Sequence, residues 1–127
     1  MIRVVVIDDD IASIGLLAEL LEESGMAEVV GRFTNPFDAL DKLDGLNADV
    51  VFLDNTLPKI SGMAFAYRLL KLNRRIGIVF VSEHGKDAVD AFEAGAIDYL
   101  LKPVTADRLE KTLLITAERI GQYKTNG

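Results

Sequence analysis

The chain has 127 residues, 50% of them apolar, which is enough for one core and too short for two domains of ordinary size. With 14 Lys and Arg against 20 Asp and Glu, its net charge of −6 excludes a protein whose whole surface grips nucleic acid or an anionic membrane. The lack of cysteine excludes disulfide staples and thiol catalysis, and the longest apolar runs are strand-sized, too short to span a bilayer. Met1-Ile2-Arg3-Val4 leads straight into a strand pattern without a secretory apolar stretch. A single cytoplasmic domain over residues 1–123 is expected, with no membrane partner and any nucleic-acid contact left to a separate domain. Residues 124–127 read as a polar tail or the start of a linker.

In chain order, β-branched runs alternate with stretches of helical periodicity, the pattern of an α/β fold with a buried parallel sheet. The strands are expected at Ile2 to Ile7, Glu28 to Phe33, Val50 to Leu53, Ile76 to Val81 and Ile97 to Leu101. The first, third and fourth hardly alternate polar with apolar residues, as strands covered on both faces should not, and so they are central. Apolar spacings of three and four predict helices over Ala12 to Ser24, Pro36 to Leu43, Met63 to Leu72, Lys86 to Ala94 and Ala106 to Tyr123. Gly25, Gly45 and Gly95 are the candidate C-terminal stops, and Asn35-Pro36 and Thr105 the candidate starts. The expected architecture is a three-layer (βα)5 sandwich.

Ligands of an open parallel sheet bind where the strands deliver the chain to the helices. The strand ends there carry Asp8, Asp9 and Asp10, then Asp54, Ser82 and Lys102. An acidic run in a loop is most simply solvated surface. The other strand ends change that reading, because carboxylates crowded on one rim repel one another unless a cation sits among them. Oxygen-only donors of this kind suit Mg²⁺. A carboxylate nucleophile, a metal cluster, a hydroxyl and an ammonium together are the parts needed to transfer and hold a phosphoryl group.

These residues resemble the receiver domain of bacterial two-component response regulators over nearly the whole chain, Val4 to about Ile120. The resemblance is carried by Val6-Ile7-Asp8-Asp9-Asp10, by Asp54-Asn55-Thr56-Leu57-Pro58-Lys59-Ile60-Ser61-Gly62, by Ser82 after Val79-Phe80-Val81, and by Gly95-Ala96-Ile97-Asp98-Tyr99-Leu100-Leu101-Lys102-Pro103. It implies a flavodoxin-like fold with strand order 2-1-3-4-5, an order that spacing alone does not supply. It implies that Asp54 accepts the phosphoryl group from a sensor histidine kinase or phosphotransfer protein. Asp9, Asp54 and the Thr56 backbone carbonyl would bind Mg²⁺, with Asp8 acting through water. Ser82 and Lys102 would hold phosphoryl oxygens, Lys102-Pro103 would be cis, and Tyr99 would be the switch aromatic, turning toward the core as Ser82 is drawn in. Apart from the family, Tyr99 reads as a half-buried strand aromatic with a wet hydroxyl. The family is a signalling switch that catalyses its own modification, not an enzyme acting on a separate substrate. Its output surface, also a homodimer surface, would be formed by the fourth helix, fifth strand and fifth helix. The run Ala91 to Pro103 is similar to receivers that precede LytTR-type DNA-binding domains, and similar text accompanies other outputs.

Glu83 departs from the family's pattern, which places a small residue after the phosphate-binding hydroxyl. It puts access to Asp54 in question, through bulk and charge. His84, the one histidine, sits near the rim and has a bland explanation as an exposed loop residue. A Ser-His-Asp hydrolase is disfavoured, since Ser82 and His84 are two residues apart and Gly-x-Ser-x-Gly is absent. A nucleotide-binding domain is disfavoured too, because Gly85-Lys86 lacks a glycine-rich loop before it. The remaining competitor is a receiver-like interaction module that works without phosphorylation, with Glu83 filling the site.

Overall fold

The computed structural model describes residues 1–73 and 75–126, and for residues 123–126 only the backbone is described. Five strands alternate with five helices: β1 Ile2–Ile7, α1 Ile11–Glu23, β2 Ala27–Phe33, α2 Pro36–Leu46, β3 Val50–Asp54, α3 Gly62–Leu72, β4 Gly77–Ser82, α4 Ala88–Glu93, β5 Asp98–Leu101 and α5 Ala106–Asn126. The strands form one sheet in the order β2-β1-β3-β4-β5, and every neighbouring pair is parallel. This is the flavodoxin-like sandwich expected from the sequence.

Successive residues of a strand face opposite sides, so each central strand feeds two cores. Val5, Ile7, Val51, Leu53, Ile78 and Phe80 pack with Ala39 of α2, Phe65 of α3 and Ala91 of α4. Val4, Val6, Phe52, Val79 and Val81 pack on the other face with Leu17 and Leu21 of α1 and Leu109 and Leu113 of α5. Burying both faces explains why these strands are unbroken apolar runs.

The helix limits differ from expectation where a side chain decides them. Asn47, in the left-handed region at φ 52, caps α2, while Gly45 lies inside that helix and is not its stop. Asn tolerates this conformation because its short polar side chain bonds locally. Gly25 and Gly95 do take positive φ at the ends of α1 and α4, as expected. Helix α4 covers Ala88–Glu93, short of the predicted Lys86 to Ala94, with Asp87 at its N-cap making no cap bond and Ala94 at its C-cap. Helix α5 runs past Tyr123 to Asn126, as nothing before Gly127 breaks a helix. Gly127, part of the expected tail, lies outside the described residues.

An ion pair whose carboxylate, but not its guanidinium, is buried fastens α5 to the edge strand β5. Arg108 donates to both oxygens of Asp98 at 2.7 Å, and Thr112 Oγ1 and the Tyr99 amide donate to the same carboxylate at 2.7 and 2.8 Å. Burial pushes the Asp98 pKa up, but the bonds from Arg108, Thr112 and Tyr99 outweigh it and leave it below the ordinary carboxylate value. A carboxylate so depressed adds stability above its ordinary pKa and loses it as pH falls through the lower folded value. Arg108→Met should therefore cost roughly 2 kcal/mol at neutral pH, less than a fully buried pair would, since the Arg108 side chain is 43% exposed. Urea unfolding against pH checks this, and the deficit should shrink in acid, where Asp98 takes a proton in either protein.

Candidate functional site

The order of strands brings the ends of β1, β3 and β4 side by side, with the segment after β5 closing the rim. Asp8 follows β1 and is 6% exposed, and its Oδ1 accepts from the Asp10 amide at 2.9 Å. Its Oδ2 accepts from Lys102 Nζ at 3.0 Å. Asp54 ends β3 and is also 6% exposed, with Oδ1 accepting from the Thr56 amide at 3.0 Å and Oδ2 lying 3.9 Å from Lys102 Nζ. Asp9 is exposed, and one oxygen each from Asp8, Asp9 and Asp54 come within 4.8 Å of one another. Asp10 belongs to a different job: it caps α1, accepting from the Ala12 amide at 3.0 Å and from Ser13 Oγ at 3.1 Å. The acidic run thus divides between the rim and the start of a helix.

Burial is the largest influence on Asp54 and pushes its pKa up to about 6; the Thr56 amide pulls it down, Asp8 pushes it up and Lys102 pulls it down. Lys102 is the counterpart. Burial works against its charge, yet the hydrogen bond to Asp8 and the charges of Asp54, Asp8 and Glu83 keep its pKa above the usual lysine value. Three clustered carboxylates with one ammonium beside two of them leave excess negative charge, a donor set that fits a hard divalent cation such as Mg²⁺.

Ser82 ends β4 fully buried; its Oγ accepts from the His84 amide at 3.3 Å and its carbonyl accepts from the Lys102 amide at 2.7 Å. It lies one residue past Val81, the partner of Asp54 across the sheet. Lys102-Pro103 is cis. Glu83 is exposed and lines, with Asp8, Lys102 and Leu16 and Leu20 of α1, a groove of about 800 Å³. Tyr99 is 6% exposed and already faces inward, its ring centroid 6.1 Å from that of Phe80 and its hydroxyl donating to the His84 carbonyl at 2.9 Å. A half-buried aromatic with a wet hydroxyl is not what stands here.

Two groups escape a reading of the sequence alone. Asn55, there only one letter of a motif, is buried and donates to Asp87 Oδ2 at 2.7 Å. A polar residue directly after an apolar strand is the available signal. Gly62 opens α3 so close to the site that an added Cβ would lie 2.7 Å from Asn55 Cα and 2.8 Å from the Asp54 carbonyl oxygen. Only its Gly-after-Ser position hints at that.

A family model for the response regulator receiver domain matches residues 4–114. This chain belongs to that family. It is 43% identical over 113 residues to an uncharacterized response regulatory protein of Vibrio cholerae, covering 89% of this chain and 47% of that protein. It is 39% identical over 113 residues to the transcriptional regulatory protein BtsR of Escherichia coli, again 89% of this chain and 47% of the relative. The chain therefore spans about half the length of these relatives. Among solved structures, the response regulatory domain of the Klebsiella pneumoniae protein mrkE superposes with TM-score 0.84 at 29% identity, covering 95% of this chain and 99% of that one. A receiver domain from Clostridium thermocellum matches with TM-score 0.83 at 28% identity, covering 100% of both chains. Among the described residues, no helix is long and apolar enough to cross a membrane.

Because the folded Asp54 holds its proton more tightly than the unfolded chain does, stability falls as pH rises from 3.8 to about 6 and then levels. Asp54→Asn removes that loss. In chelator-treated protein the substitution should stabilise by about 1–2 kcal/mol at pH 7.5, a value discounted for solvent and for its coupling to Asp8, and by little at pH 4. Urea midpoints at the two pH values provide the check.

Proposed function

We propose that Asp54 accepts a phosphoryl group from the phosphohistidine of a sensor kinase or phosphotransfer protein, and that this modification controls a longer protein of which the chain is the regulatory part. The observation that carries the proposal is the Asp54 carboxylate, buried at a strand end, shared with Asp8 across one lysine ammonium, inside an all-oxygen cluster. A carboxylate oxygen of Asp54 attacks phosphorus in line as the phosphorus–nitrogen bond to the donor imidazole breaks, giving an acyl phosphate and a neutral imidazole once that ring is protonated. Mg²⁺, held by Asp9, Asp54 and the Thr56 carbonyl with Asp8 acting through water, would supply charge neutralisation to the transferring group. Lys102 sits where its ammonium can hold phosphoryl oxygens, and the Ser82 hydroxyl accepts from the His84 amide, which leaves its own proton for such an oxygen. Release is attack by water on the same acyl phosphate, which regenerates Asp54.

The output would be read from α4, β5 and α5, where Val89, Phe92, Leu101 and Leu114 are exposed apolar side chains on otherwise charged elements. A homodimer through this face is one way to cover them. BtsR is called a transcriptional regulatory protein, and by analogy the remainder of this protein would carry the contact with nucleic acid.

The decisive experiment is mass spectrometry after incubation with acetyl phosphate. One phosphoryl group should add to the parent in Mg²⁺ and none to Asp54→Asn; a modified Asp54→Asn protein would overturn the assignment, and an unmodified parent would favour the phosphorylation-independent module. Titration of Mg²⁺ should show that Asp9→Ala loses about tenfold or more in affinity, since a direct carboxylate ligand is removed. Glu83 lines the groove with its charge close enough to Lys102 to act on it. Glu83→Ala should speed both acquisition and loss of the phosphoryl group several-fold, and Glu83→Gln should recover only the electrostatic share. Equal rates in all three proteins would remove Glu83 from any gatekeeping role.

A further inference from the structure

The residue after Asp54 is polar, buried and fastened on every side. Asn55 is 7% exposed; its amide donates to the Val81 carbonyl at 3.1 Å, and its carbonyl accepts from the Gly62 amide at 3.1 Å. The side chain reaches across the molecule from there. Nδ2 donates to Asp87 Oδ2 at 2.7 Å and to the Tyr99 hydroxyl at 3.4 Å, joining residues 32 and 44 positions away in sequence. Oδ1 is the one buried side-chain polar atom among the described residues without a hydrogen-bond partner. A buried acceptor left unpaired is costly, and an apolar side chain would avoid that cost. The position therefore needs the Nδ2 end.

The partner of that Nδ2 is itself displaced from its ordinary duty. Asp87 occupies the N-cap of α4 but makes no cap bond, so the first amides of α4 lack the acceptor that such a residue normally gives them. Its carboxylate has two alternatives, the Asn55 amide or its own helix. Tyr99 shares the first of these, with its hydroxyl donated to His84 in the same loop.

We propose that Asn55 is a positioning residue that holds Tyr99 inward and draws the start of α4 toward the Asp54 loop. The acceptor site and the α4–β5 face then meet at one hydrogen-bonded joint with two arrangements, Asp87 on Asn55 or Asp87 on α4. Its use in signalling rests on Asp54 being a phosphoryl acceptor, but the joint is present in the unmodified protein and can be tested there.

The test uses the full chain carrying fluorotyrosine, with the Tyr99 resonance assigned by its loss in Tyr99→Phe. In Asn55→Leu, of similar size, access of a soluble paramagnetic quencher to the Tyr99 fluorine should rise roughly fivefold, the consequence of one lost hydrogen bond of ordinary strength. Amide hydrogen exchange in Ala88–Glu93 should slow in Asn55→Leu, where Asp87 is freed to cap α4, and quicken in Asp87→Ala, where α4 loses its tie to Asn55 and gains no cap. Simple damage to packing would quicken both. An unchanged Tyr99 fluorine in Asn55→Leu, or α4 exchange moving the same way in both variants, would overturn the proposal. Acetyl phosphate treatment of the same parent sample keeps the two ideas apart: a parent that takes no phosphoryl group defeats the acceptor assignment, while the fluorine and exchange results still decide the joint.

Discussion

The rim is held together by a single ammonium. Lys102 Nζ lies 3.0 Å from Asp8 and 3.9 Å from Asp54, two carboxylates whose side chains are each only 8% exposed. Without that charge, two buried like charges would face each other and one would stay protonated. The sheet order is what delivers it, because β3 lies between β1 and β4 while β5 flanks β4 on the outside. Lys102 must therefore reach inward past the end of β4. The hydrogen bond from its own amide to the Ser82 carbonyl, at 2.7 Å, fixes where that reach begins. Ser82 is thereby tied to the lysine through its backbone and to the loop beyond through its hydroxyl.

Most of this is legible in the sequence, and for a physical reason. Strands buried on both faces must be apolar without interruption, so Val4 to Ile7, Val50 to Leu53 and Ile78 to Val81 declare themselves, and whatever polar residue ends each run is marked by contrast. Asp8, Asp54, Ser82 and Lys102 stand out that way. The departures come from side chains whose choice of partner depends on tertiary contacts. Asp10 reads as one more acid in a cluster until its carboxylate is seen accepting from the Ala12 amide and the Ser13 hydroxyl of α1. Gly45 is the obvious stop for α2, but nothing lies within 4 Å of where its Cβ would be, and Asn47 takes the left-handed conformation instead. At the start of α4, Asp87 gives its carboxylate to Asn55, across 32 residues that no local pattern can span.

Glu83, next after Ser82, and Asn55, next after Asp54, depart from expectation differently. Glu83 is exposed and lines the groove, and its charge favours the protonated form of Lys102. That adds negative charge to a rim already in excess. Asn55 is buried and acts through directional bonds, which water does not screen. On the proposed reading, the first residue would bear on how fast phosphoryl groups arrive and leave, and the second on how a change at Asp54 reaches α4.

The chain between Asp54 and α3 decides how a change at Asp54 can travel. Gly62 lies so close to Asn55 and Asp54 that a Cβ would overlap backbone atoms at 2.7 and 2.8 Å, and its amide bonds the Asn55 carbonyl at 3.1 Å, closing the loop on itself. Past Gly62, α3 is anchored by Phe65 and Leu69, each 2% exposed or less. A closed loop set against a packed helix cannot easily yield in that direction, since close-packed interiors shift between discrete arrangements and do not stretch. The other exit from the loop is the Asn55 side chain. It ends on Asp87 and Tyr99, at the beginning of a helix of six residues with no side-chain cap bond of its own.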